Sequence, residues 1–282
     1  MDFIRTLKKG AAEAASSYKL LLTIWITTLL MVLLVAAPLK SSMKSIFGNS
    51  LSVERLTDGF DAGLISDMGQ SFRQLMASAT TGGLLLVLAG FLLYTFFAGG
   101  LFTRFTTAYG DLKLPAFMKA SAHNFMPFLL IVLLMCLIIG AFTFLIIAIP
   151  AGVNVALSRG SGSIPKLMIL PYIIWGLGMP VWLFVADYSR RWIAATGSRK
   201  VFRALGAGFS ALKKGFWRSY SAVLVIVLLN VVFILVSLGF AAWSMPEKGI
   251  MIFLFFLATQ ILFLVRLFLK AWRYASVSQL QV

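Results

Sequence analysis

Six stretches of almost unbroken apolar residues dominate the chain: Leu20 to Leu39, Leu84 to Phe105, Met126 to Ile149, Leu167 to Val185, Ala222 to Trp243 and Ile250 to Leu269. A bilayer core about 30 Å thick needs about 20 helical residues, and each stretch has that reach. None alternates apolar with polar residues, which argues against a transmembrane barrel. The pattern predicts an all-α polytopic membrane protein with six transmembrane helices, a single membrane domain over residues 1–282. The first stretch is longer than the core of a cleaved leader and follows a segment with a helical pattern of its own. It therefore reads as a span, although Val35-Ala36-Ala37 loosely resembles a cleavage site.

Between the spans the periodicity changes. Across the loop 40–82, Leu56, Phe60, Leu64, Met68, Phe72 and Met76 recur every four residues. That spacing predicts a helix with one apolar stripe, lying on the outer membrane surface or capping the bundle. Asp58, Asp61, Asp67 and Arg73 lie between the stripe residues. A second amphipathic segment follows the fourth span. There Phe202, Leu205, Phe209, Leu212 and Phe216 share a narrow arc, with Arg199, Lys200, Arg203, Lys213, Lys214 and Arg218 beside it. The reading is a helix in the membrane interface with its apolar side toward the acyl chains. The six cations then either contact anionic lipid or serve only to fix topology; docking of a soluble partner such as an ATPase is the third reading.

Composition agrees with the pattern. The chain is 60% hydrophobic and 12% charged, about half the charge of a soluble domain. The net charge of +16 is spread over the ends of apolar runs rather than gathered in one basic domain, which argues against a nucleic-acid partner. Segments 1–19, 104–125, 187–219 and 266–282 carry 4, 3, 8 and 3 Lys or Arg, 18 in all, whereas the other three loops carry 4, 2 and 1, which is 7. Basic residues are retained on the cytoplasmic side, so both termini are expected there.

The chain also repeats itself weakly. Basic amphipathic segments beginning Phe3-Ile4-Arg5, Phe117-Met118-Lys119 and Val201-Phe202-Arg203 precede the first, third and fifth spans. The exits of the second and fourth spans, FAGGLFTRFTTAYG from Phe97 and FVADYSRRWIAATG from Phe184, share Phe97/Phe184, Arg104/Arg191, Ala108/Ala195 and Gly110/Gly197. Three copies of interfacial helix, span out and span back are expected over 1–105, 106–192 and 193–282. The runs AGGLFTRF, VADYSRRW, SRKVFRALGAGF and KAWRYASVSQL resemble a group of bacterial six-span membrane proteins, similar to the membrane domains attached to some glycerophosphodiester phosphodiesterases. The resemblance implies the fold and a bacterial inner membrane, carries over Gly99, Gly100, Asp187 and Arg191, and implies almost nothing about mechanism.

Candidate chemistry is sparse. Asp187 closes the fourth span and calls for a cationic partner, either Arg190 or Arg191 nearby or Arg266 in the sixth span. Asn230 and Gln260 lie at mid-depth in spans five and six, where polar side chains usually bond across helices. Pro171, Gly176, Gly178 and Pro180 predict a kinked fourth span; broken helices mark some transporter sites, and such residues are also tolerated in plain membrane helices. The single histidine, His123, and single cysteine, Cys136, exclude a His/Cys zinc site within the chain and a disulfide. No triad spacing and no phosphate-binding glycine loop occurs, and no cofactor is expected. Two functions follow: a non-enzymatic inner-membrane protein that organises anionic lipid or a partner protein through its basic helices, or a transporter or permease subunit for a lipid-like solute.

Overall fold

The computed structural model describes residues 2–47, 62–107, 112–157, 169–243 and 249–280. Apart from short connectors these residues are helical: α1 (Asp2–Ser16), α2 (Tyr18–Phe47), α3 (Ala62–Thr106), α4 (Leu114–Thr143), a π-helical turn (Phe144–Ala148), α5 (Ile149–Leu157), α6 (Ile169–Thr196), α7 (Val201–Lys214), α8 (Phe216–Trp243) and α9 (Gly249–Gln279). Six stretches, beginning at Tyr18, Arg73, Leu114, Ile169, Ser219 and Gly249, are long and apolar enough to cross a membrane. The chain is an integral, multi-pass membrane protein. Leu228, Val232, Leu235 and Leu238 on α8, and Ile250, Phe253, Leu254 and Ile261 on α9, are exposed. In a membrane protein, apolar surface of this extent faces lipid or a neighbouring span.

The chain divides into two compact units, Met1–Leu22 with Thr95–Val282, and Thr23–Tyr94. In the larger unit the core gathers where the spans end. Phe102 is fully buried, 4.6 Å from Tyr274 and 5.8 Å from Phe128 between ring centroids, so three elements meet at one aromatic cluster. α1 lies along the end of α9: Trp272 Nε1 donates to the Leu7 carbonyl at 2.9 Å and Gln279 Nε2 to Glu13 Oε1 at 2.6 Å. α7 packs along the end of α6. Gly197, at φ +63°, ends α6, its N–H bonding Ile193 O at 2.8 Å. That left-handed conformation is one glycine adopts freely and one that stops a helix.

Small residues permit these crossings. A Cβ added at Gly208 would stand 2.7 Å from Ser189 Oγ and 2.8 Å from Val185 O; one at Gly10 would collide with Ser276; one at Gly99 would stand 3.0 Å from Asn124 Cβ. Counted from Phe3, Phe117 and Val201, the residue seven positions on is Gly10, Asn124 or Gly208, and each is buried against the end of a span. Fourteen positions on stand Ser17, Ile131 and Gly215. The helix breaks at Ser17 and at Gly215, whereas Ile131 lies inside α4, which runs straight from interface to span. The first and third amphipathic segments are thus separate helices and the middle one is the foot of a span.

In the smaller unit, part of the expected stripe (Leu56 and Phe60) lies outside the described residues. The rest is not one helix, because Gly69 takes φ 46°, ψ −111° and breaks the path. Beyond it α3 runs on unbroken, so Met76 belongs to the second span's own helix. Between α2 and α3 lies an open groove of about 560 Å³, lined on one side by Leu34, Pro38 and Ser42 and on the other by Ala77, Thr81 and Leu85.

Candidate functional site

The charged groups of the larger unit collect at the end of the bundle that carries α1 and α7. Asp187, two residues beyond the apolar run of the fourth span, is fully buried. Arg190 Nη1 donates to its Oδ1 at 2.9 Å, and Arg273 Nε lies 2.7 Å from Oδ2. Lys270 stands one turn before Arg273 and lies within electrostatic reach of Asp187, Arg190 and Arg266. Cations thus outnumber the carboxylate. Of the three partners the sequence offers Asp187, Arg190 pairs with it, whereas Arg266 is exposed and does not. Arg266 and Arg273 are seven residues apart, so they share a helix face about 10 Å apart along the axis, and the packing brings the later one to the carboxylate.

Arg191 takes a different role. Its Nη1 donates to the Leu280 carbonyl at 2.6 Å and its guanidinium lies 5.0 Å from the Tyr188 ring centroid. It holds the end of the chain against α6. Asn230 Nδ2 turns back to Ile226 O of its own helix at 2.9 Å, and Gln260 is half-buried on α9. The described part of the fourth span is one helix: α6 runs through Pro171, Gly176, Gly178 and Pro180. Tyr220 Oη donates to Leu177 O at 3.1 Å, beside the Gly176 carbonyl whose helical donor Pro180 lacks. The departure from regular α-helix lies in the third span, as the π turn, with Trp175 Nε1 donating to Thr143 Oγ1 at 2.9 Å just before it. Sequence reading missed this turn, since FLIIA carries no glycine or proline.

The amphipathic segment after the fourth span is shorter than expected. α7 covers Val201–Lys214; Arg199 and Lys200 precede it, and Arg218 lies in the first turn of α8. Its apolar arc divides. Leu205 and Leu212 are buried with Val201, Ala204, Gly208 and Ala211, so this face belongs to the protein. Phe202 is 79% exposed, whereas Phe209 and Phe216, at seven-residue spacing from it, are 37% and 38% exposed, Phe209 set edge-on to Trp182 and Phe216 stacked on Tyr220. Arg199, Lys200, Arg203, Lys213 and Lys214 are exposed too. The stripe Ala204, Gly208, Ala211 was the overlooked signal, because small residues at helical spacing mark close helix contact.

His123 and Cys136 are exposed, and among the described residues no group of three or more His, Cys, Asp or Glu gathers as a metal site would. No family model matches the chain, and no curated protein or solved structure matches it either.

Proposed function

We propose that this is a non-enzymatic protein of the bacterial inner membrane that gathers anionic lipid at the cytoplasmic face through its basic interfacial helices, α7 foremost. The observation that carries this reading is the split face of α7. One side is fixed to α6 by small-residue packing, and the other presents Phe202 and the partly exposed Phe209, with Phe216 following at the start of α8, beside exposed Arg203, Lys213 and Lys214 and, just before the helix, Arg199 and Lys200. Phenylalanine rings held outward at a membrane boundary enter the acyl region, and that places the neighbouring cations at headgroup depth. Each cation near an anionic surface contributes about 1 kcal/mol.

The test uses the full chain reconstituted with spin-labelled phosphatidylglycerol or phosphatidylcholine. The motionally restricted fraction gives the relative association of the two lipids. The wild type is expected to favour the anionic lipid. Changing Arg203, Lys213 and Lys214 to Gln should remove most of that preference, as should salt. Equal association of both lipids with the wild type overturns the reading. The transporter reading draws less support, because α6 is continuous and Asp187 is held in ion pairs.

A further inference from the structure

We infer that the groove between α2 and α3 binds one molecule of anionic phospholipid, an acyl chain lying in the groove and the phosphate at Arg73. The site is far along the chain from α7 and uses none of its residues, so it goes beyond the reading above. The run Ala77 to Gly83, ASATTGG, is seven small residues in succession, and small side chains on α3 leave the space beside α2. On α2, Leu34, Pro38 and Ser42 recur every four residues along the facing side, as Ala77, Thr81 and Leu85 do on α3. Pro38 deprives the Leu34 carbonyl of its helical donor. The resulting volume, about 560 Å³, lies in the range of small-molecule pockets, about 300–1,000 Å³, enough for part of an acyl chain.

The groove is graded along its length. Leu34 and Leu85 lie at the deep end, Ser42 and Ser78 toward the helix ends. One turn beyond Ala77, on the same face of α3, stands exposed Arg73, and exposed Lys40 and Lys44 stand at the corresponding end of α2. Residues 40–47 and 70–85 hold no carboxylate; Glu54, Asp58, Asp61 and Asp67 lie in the stretch between them. These cations lie on the side from which the basic-residue count removes Lys and Arg, so topology does not account for them. Apolar depth, hydroxyls at the mouth and exposed cations near the rim together match an acyl chain ending in a phosphodiester.

The experiment is photolabelling of the reconstituted full chain by trace phosphatidylglycerol with a diazirine on its acyl chain, mapped by peptide mass spectrometry. Label is expected to concentrate on peptides covering 34–42 and 77–85, over those covering the equally exposed 228–238 of α8. Excess unlabelled phosphatidylglycerol should compete it away, and phosphatidylcholine should compete poorly. Ala77→Trp, which fills the groove, should lower the yield about tenfold, and Arg73→Gln should abolish the preference for the anionic headgroup. Even labelling of groove and α8 in the wild type overturns the proposal, as does equal competition by both lipids; neither result requires a variant to fold. The α7 substitutions should leave groove labelling unchanged, so the two readings fail separately.

Discussion

Two regions of the larger unit obey different rules. Near Phe102 and Asp187 the spans end in a protein core. From Tyr274 to Ser278 every residue is buried, and buried polar side chains include Ser189, Ser219, Asn124 and Asp187. Far from it, α8 from Leu228 and α9 up to Leu257 present leucine, valine and phenylalanine to the surroundings, with few residues covered. The packed region is the less hydrophobic of the two. Within lipid, burying a leucine gains little, so helices associate through close backbone approach and polar contacts. The contrast locates the specificity of the fold at the basic end, and substitutions there should cost far more than equal ones in the apolar shafts.

The largest expected effect is that of Asp187→Asn. It leaves Arg190 and Arg273 facing one another without their carboxylate, and stranding buried charge costs about 3–5 kcal/mol. Unfolding of the purified protein in detergent, followed by circular dichroism, measures it. A double-mutant cycle sharpens the comparison: Asp187 should couple to Arg273→Gln and not to Arg266→Gln. Coupling to Arg266 instead would show that the sixth span meets the fourth two turns deeper.

Next come the crossings. Gly208→Val drives a side chain into Ser189 and Val185, and overpacking of this kind costs about 1–3 kcal/mol. Gly239→Val, in the exposed part of α8 with nothing within 4 Å, should be close to neutral. Equal losses at the two sites would erase the distinction between packed end and shafts. Smaller still is Asn124→Ala. Asn124 Nδ2 donates to Thr103 Oγ1 at 3.1 Å, a single neutral bond between α4 and α3 worth about 1 kcal/mol.

The same contrast explains what the sequence discloses. Spans are legible because lipid exposure demands continuous hydrophobicity, and over the described residues the apolar runs accordingly lie within the six long apolar helices to within a residue. The packed end is less legible, since its signal is the absence of side chain at Gly10, Gly99 and Gly208 rather than the presence of one. Arg273 was within reach of a depth count. Asp187 lies two residues past its apolar run and Arg273 four past its own, whereas Arg266 lies three inside it. At 1.5 Å per residue, Arg273 is the nearer match in depth. The division of α7 between protein and outward faces was not readable from its arc alone, because a leucine and a phenylalanine on one arc look alike until the small-residue stripe beside them is recognised.

Asn230 supplies the finest test of the boundary between the two regions. It lies mid-depth in the fifth span, where a polar side chain is expected to bond a neighbouring helix, and such bonds average about 0.6 kcal/mol and reach about 2 kcal/mol. Its amide instead donates to Ile226 O, one turn back on α8, a carbonyl that already has a helical donor available. Asn230→Leu therefore removes no contact between spans and adds apolar surface in the region that faces lipid. The expected change in stability is within about 0.5 kcal/mol, and Asn230→Leu with Gln260→Leu should be additive. A loss above 1 kcal/mol from Asn230→Leu alone, or clear coupling between the two, would mean that the shafts of spans five and six are tied by polar contact, and the packed region would then extend well beyond the basic end.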